Sequence, residues 1–198
     1  EHSDEYSTIL NNLDLKLVKV IDTHIHADHI SALNELNKRT NCIRVMGEKS
    51  KSEVIDLRIK DGEKIKVEEV ELQAIYTPGH TDCSYSFLMN DRVFTGDTLL
   101  INGSGRTDFQ NGNAYDAYDS IFNKLLKLPE KTLVFPAHDY NGKKFSTIEN
   151  EKNNNPRLQV SSKEEYADIM NNLNLANPKM MDVAVPANVK GLTLDNIN

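Results

Sequence analysis

Apolar and polar positions change rhythm repeatedly along the chain. Leu15, Leu17, Val18, Val20 and Ile21 suggest a strand, and Ile30, Leu33 and Leu36 then recur at helical spacing. Residues 4–13 ahead of them suit a short helix. The β-rich run Lys64–Tyr76 follows Asp61-Gly62, expected as a hairpin turn, and contains a second turn near Glu68-Glu69. Ser84–Met89 and Arg92–Thr95 are expected as short strands around Asn90-Asp91. From Tyr115, the positions Tyr118, Ile121, Phe122, Leu125 and Leu126 mark an amphipathic helix that stops before Pro129. Leu133–Phe135 suits a strand. Ser161-Ser162-Lys163-Glu164 offers a capping box for a last helix of about ten residues. The Asn-rich stretches Asn153–Asn155 and Asn171-Asn172 suit loops or helix ends. The mixture predicts an α/β (α+β) architecture. With no repeat and no long linker, residues 1–198 are expected to form a single domain.

Composition narrows the class. The 198 residues are 38% hydrophobic, enough for a real core. Lys and Arg number 23 against 30 Asp and Glu, a formal charge of −7. An acidic chain without a basic run offers no surface for nucleic acid or anionic lipid. No apolar stretch approaches the ~18–20 residues of a membrane span, and EHSDEYSTIL lacks a signal-peptide pattern. Cys42 and Cys83 are too few for a disulfide scaffold and suggest a reducing compartment, the cytoplasm.

The candidate chemistry is concentrated. Five of the six histidines occupy three places where a strand gives way to a loop. His24-x-His26-x-Asp28-His29 brings four potential ligands into one turn. His80 lies in Thr77-Pro78-Gly79-His80-Thr81, and His138 in Pro136-Ala137-His138-Asp139. Asp97, in Phe94-Thr95-Gly96-Asp97, lies between them. Strand ends hold side chains firmly enough to converge on one point. Imidazoles and carboxylates crowded together without a cation would frustrate one another, so a metal role is expected. His2, near the terminus, is expected to be an ordinary surface residue, and Cys83 a buried free thiol rather than a ligand.

These motifs resemble the metallo-β-lactamase superfamily, whose signature is H-x-H-x-D-H followed by distant His, Asp and His. Within it, Thr77-Pro78-Gly79-His80-Thr81, Phe94–Ile101, Gly105-Arg106-Thr107-Asp108-Phe109-Gln110 and Pro136–Tyr140 resemble the persulfide dioxygenases of the ETHE1 type. Asn155-Pro156-Arg157-Leu158 and Val185-Pro186-Ala187-Asn188 fit the same branch. The Gly-Arg-Thr-Asp-Phe-Gln run separates that branch from the glyoxalase II hydrolases. The resemblance implies a metallo-β-lactamase-like αββα sandwich. That fold normally opens with β-strands, and this sequence begins at about the helix that follows them.

The resemblance also implies a site. His24, His80 and Asp97 would hold one Fe(II), while His26, Asp28, His29 and His138 would form a second site or surround the first. Two imidazoles and a carboxylate on one face of iron leave positions for a persulfide and O2. The implied partners are therefore glutathione persulfide and O2, giving glutathione and sulfite, with a homodimer expected and neither nucleic acid nor membrane. Tyr140, Asp28 and His138 are the candidate catalytic residues. Arg106 and Tyr140 are candidate substrate-binding residues. Arg106 has a second reading as a scaffold ion pair with Asp108 or Asp139, and Tyr140 as a buried packing side chain. The alternative function is a glyoxalase II-like hydroxyacylglutathione hydrolase with two metals, zinc among them, and Asp97 between them.

Overall fold

The apolar run before the histidine cluster forms a strand only over Lys19–Ile21 (β1), following the helix Ser3–Asn12 (α1). Leu15 stays 57% exposed. Alternation predicts a strand but does not locate its end. The computed structural model describes residues 3–197, which divide into two compact units: residues up to Ile59 together with those from Ala176, and Lys60–Leu175.

In the first unit, β1 leads through the His24–His29 loop to Leu33–Thr40 (α2), whose Leu33 and Leu36 are buried as the spacing predicts. Asn41 ends that helix in the left-handed region, φ +56°, with its N–H on the Asn37 carbonyl. Ile43–Gly47 (β2) and Leu57–Ile59 (β3) complete a parallel sheet of order β1-β2-β3. A helix Met181–Lys190 belongs to this unit too, ended by Gly191 at φ +65°. A Cβ on Gly191 would lie 2.5 Å from a Val54 methyl, so the close approach requires glycine.

The second unit is built on a six-stranded sheet. Its strands are Lys64–Val67 (β4), Val70–Tyr76 (β5), Tyr85–Leu88 (β6), Arg92–Gly96 (β7), and, after the short β8 (Leu99–Leu100) and β9 (Gly103–Ser104), Leu133–Pro136 (β10) and Ser146–Thr147 (β11). The order is β11-β10-β7-β6-β5-β4. Ala114–Tyr118 (α3), Ile148–Asn154 (α4) and Lys163–Asn171 (α5) supply the helices. Val93, Leu99, Ile121, Leu125, Val134, Ile148 and Tyr166 form a core with essentially no exposure. Strand β4 ends the sheet, and its exposed Lys64 and Lys66 both reach Glu71 on β5, at 2.6 and 3.0 Å.

Four local expectations need correcting. Asp61-Gly62 is a turn but not a hairpin, because β3 pairs with β2 while β4 pairs with β5. The hairpin is at Glu68-Glu69, where Val67 faces Val70. The amphipathic segment after Tyr115 keeps its buried face but changes winding, with a π-helical stretch Asp119–Lys124 and a 3-10 turn Leu125–Lys127. The capping box sits one residue later than expected: Ser162 Oγ accepts from Glu165 N–H, while Ser161 N–H donates to the Glu165 carboxylate. That helix is not the last, since Met181–Lys190 follows with Pro186 inside it. A helix-interior proline argues against helix in a sequence, and the segment gave no helical signal.

Candidate metal centre

In the first unit the ligand-rich loop leaves β1 at Asp22. His24 and His26 are buried, and their rings lie 4.3 Å apart between centroids, as do those of His26 and His29. Thr23 Oγ1 is 2.9 Å from His24 Nδ1. His29 Nδ1 lies 3.1 Å from Asp28 Oδ1. One donor atom each from His26, Asp28 and His29 falls within 4.8 Å of the others, a spacing able to hold a cation. The loop itself is clamped by Asn188. Its Nδ2 donates to the carbonyls of both His26 and His29 at 2.9 Å, and its Oδ1 accepts from Ser31 N–H at 2.8 Å. Ser31 Oγ donates in turn to Asp22 Oδ2. Asn188→Ala removes three hydrogen bonds on the ligand loop, so metal affinity should fall about ten- to hundredfold, measured by competition with a chelator.

In the second unit, parallel strands β7 and β10 end side by side, with Ala137 N–H on the Gly96 carbonyl at 3.0 Å. Asp97 and His138 therefore emerge as neighbours. His80 arrives from β5 through Gly79, whose φ of +138° and approach to Ala117 leave no room for a side chain. Asp97 Oδ2 lies 3.6 Å from His80 Nε2 and 3.6 Å from His138 Nε2. That exceeds a hydrogen bond, which ends near ~3.2 Å, but is close to the ~3.0–3.5 Å between donors sharing an ion at ~2.1 Å.

His80 is also prepared electronically. Its Nδ1 faces the Arg106 carbonyl at 2.8 Å, which accepts the Nδ1 proton and leaves the Nε2 lone pair directed toward Asp97. An imidazole whose far nitrogen donates to a carbonyl is the usual preparation of a metal ligand. The contact depends on Gly105: a Cβ there would stand 2.0 Å from the Asp97 carbonyl oxygen and 3.0 Å from His80 Nδ1. His80 and Asp97 are thus spaced as two ligands of one divalent ion, and His138 stands at the same distance from Asp97.

The other candidates are placed as follows. The Arg106 guanidinium grips Asp108 bidentately, at 2.6 and 2.7 Å, and lies 4.0 Å over the Phe109 ring. It holds the Asp108 carboxyl below its usual range, chiefly through that hydrogen bond. Of its two readings, the ion pair with Asp108 is the one present; a substrate carboxylate would have to displace Asp108 from the fork. Tyr140 is not a buried packing residue: it is 83% exposed and lies nearly parallel to His138, with 7° between rings and 6.1 Å between centroids. Cys83 is a buried thiol outside any disulfide, beside Thr81 Oγ1. Nothing in the local sequence gives Gly105 or Asn188 a role of its own; only the close approach and the long-range hydrogen bonds expose what they do.

Residues 7–138 match the model of the metallo-beta-lactamase superfamily, which spans the ligand motifs from His24 to His138. The mouse protein named "Persulfide dioxygenase ETHE1, mitochondrial" is 43% identical over 185 residues, covering 92% of this chain and 72% of its own. The crystal structure of ETHE1 from Myxococcus xanthus superposes with a TM-score of 0.93 at 47% identity, over 95% of this chain and 83% of that one. The hydroxyacylglutathione hydrolase of Dictyostelium discoideum is 32% identical over 152 residues, 71% of this chain and 56% of the hydrolase. The chain has the metallo-β-lactamase fold and belongs, within that superfamily, to the ETHE1 family of persulfide dioxygenases. It is an enzyme of that class. No helix among the described residues is long and apolar enough to cross a membrane.

Proposed function

We propose that this enzyme oxidises glutathione persulfide with O2 and water to sulfite and glutathione, using one Fe(II) held by His24, His80 and Asp97. When bound, the iron would supply open coordination positions and a path for the electrons that pass from the persulfide sulfur to O2. The single observation that carries the reading is the His80 Nδ1 contact with the Arg106 carbonyl. The Gly-Arg-Thr-Asp-Phe-Gln run that distinguishes the dioxygenase branch is the same run that aims this histidine.

The chain's own residues divide the remaining work. Asp97 brings the negative charge that two neutral imidazoles lack. Asp28 and His29, 3.1 Å apart, lie in the outer shell and orient water. His138 shares Asp97 Oδ2 with His80 and steadies that carboxylate. The Tyr140 phenol, exposed and stacked on His138, donates a hydrogen bond to a substrate sulfur or oxygen. Arg106, locked by Asp108, acts through its backbone carbonyl. The two buried cysteines, neither in a disulfide, suit a reducing compartment, the cytoplasm or, in a eukaryote, the mitochondrial matrix. We further propose a single functional domain, because the superfamily match crosses the boundary between the two units, and a homodimer, testable by light scattering.

One observation favours a second reading, a two-metal hydroxyacylglutathione hydrolase: Asp97 Oδ2 is equidistant from His80 and His138. Iron-loaded wild type is expected to consume O2 with glutathione persulfide. The dioxygenase reading fails if it consumes none yet hydrolyses S-lactoylglutathione. Asp28→Ala separates the two further. It should leave about one iron per chain and reduced but measurable O2 uptake in the first reading, and halve a two-metal content in the second.

A further inference from the structure

The loop that delivers the Arg106 carbonyl is itself held almost residue by residue. Asn102 N–H donates to Glu151 Oε2 at 2.9 Å, and the Gly103 carbonyl accepts from Asn155 Nδ2 at 2.9 Å. The Ser104 carbonyl accepts from Arg157 Nη1. Next comes Gly105, pressed against Asp97, and then the Arg106 carbonyl on His80.

Glu151 lies on α4, Arg157 on the 3-10 turn Pro156–Leu158, and Asn155 joins the two. Glu151 and Asn155 are fully buried. Glu151 accepts from four donors: Asn102 N–H and Asn155 Nδ2 on one oxygen, Ser146 Oγ and Asn150 Nδ2 on the other. Asn155 Oδ1 caps Arg157 N–H at 3.1 Å, which sets the direction of the arginine. A buried, fully satisfied polar network of this kind holds one geometry firmly. The proposed reaction gives none of these three residues a task, yet their bonds end on the segment that orients a metal ligand.

We propose that Glu151, Asn155 and Arg157 are positioning residues that fix the Nδ1–H tautomer of His80 through the backbone of residues 102–106. Their function rests on the reading of His80 Nε2 as a ligand, but the tautomer can be observed without metal. The carbonyl of Arg106 can accept from His80 only while the Gly103 and Ser104 carbonyls point away, toward Asn155 and Arg157. Release of either lets the short segment rotate its peptide planes, and His80 then loses the acceptor that distinguishes its two nitrogens.

Arg157→Met keeps the aliphatic stem and removes the donor to Ser104. Arg157→Lys restores one donor. Asn155→Asp keeps the cap on Arg157 N–H but turns an oxygen toward the Gly103 carbonyl and Glu151. The metal-free full chain, with 15N-labelled histidine at pH ~8, reports the His80 tautomer by NMR. Wild type is expected to show protonated Nδ1. Arg157→Met and Asn155→Asp should show a tautomer mixture and bind Fe(II) about ten- to hundredfold more weakly, with Arg157→Lys closer to wild type. A mixture in the variants supports the inference even if wild type binds no Fe(II), a result that would instead remove the metal reading. A folded Arg157→Met with His80 wholly in the Nδ1–H form, and Fe(II) affinity within about twofold of wild type, would overturn it.

Discussion

Asp97→Asn is expected to lose its metal and, with it, all oxygen consumption. The substitution is nearly isosteric, so the backbone at the end of β7 has no reason to move. What changes is the atom on which two imidazoles converge at 3.6 Å. A carboxylate oxygen accepts from every side, whereas the amide offers either a neutral oxygen or an NH2 group that cannot ligate. With NH2 turned inward, the variant donates hydrogen bonds to the histidines and closes the gap an ion would fill. Metal retained after desalting should fall more than about tenfold, measured by elemental analysis beside O2 uptake. A full equivalent retained by Asp97→Asn would show that another carboxylate supplies the charge.

Gly105→Ala is expected to do comparable damage by a steric route. The added methyl would lie 2.0 Å from the Asp97 carbonyl oxygen, a backbone atom at the end of a central strand with no freedom to retreat. Overpacking of this severity costs about 3 kcal/mol, a fall in Tm of roughly 6–12 °C for a chain of this length. Relief comes most easily by moving the 105–106 segment outward, which withdraws the carbonyl from His80 and weakens metal binding as well. Gly62→Ala is the control: its φ is +80°, but nothing lies within 4 Å of the added atom. Calorimetry of the two variants should show a much larger loss at Gly105. Equal losses would mean that the Asp97 carbonyl gives way to the added methyl at little cost.

The donors were legible because they carry their chemistry in their side chains and cluster where apolar runs stop: Ile21 before His24, Phe94 before Asp97, Phe135 before His138. The holders of those donors were not. Asn188 meets the His26 carbonyl across 162 residues of sequence, and Arg157 meets Ser104 across 53. Nothing local distinguishes such an Asn or Arg from a solvated one. Arg106 shows the limit clearly. Its charge allowed either a substrate carboxylate or Asp108, two residues on, and only the folded loop puts both Asp108 oxygens on the guanidinium. Strands β2 and β3 escaped notice because they are short and carry Arg44 and Arg58 among few apolar positions. The turn at Glu68-Glu69 was found because strand alternation on both sides frames it.

Strand β4, at the end of the six-stranded sheet, also bears on how the protein behaves when crowded. An open strand edge is a template on which a second chain can add itself, and the sheet would then grow from molecule to molecule. Lys64 and Lys66 stand on that edge, each bound to Glu71 yet more than half exposed. Two ammonium groups spaced two residues apart would face an identical pair on any incoming copy, so like charges meet at the outset. Lys64→Val with Lys66→Val would turn KIKV into an unbroken apolar strand. That protein should keep its metal and its turnover in dilute solution while precipitating at concentrations the wild type tolerates, a difference visible as turbidity rising with protein concentration.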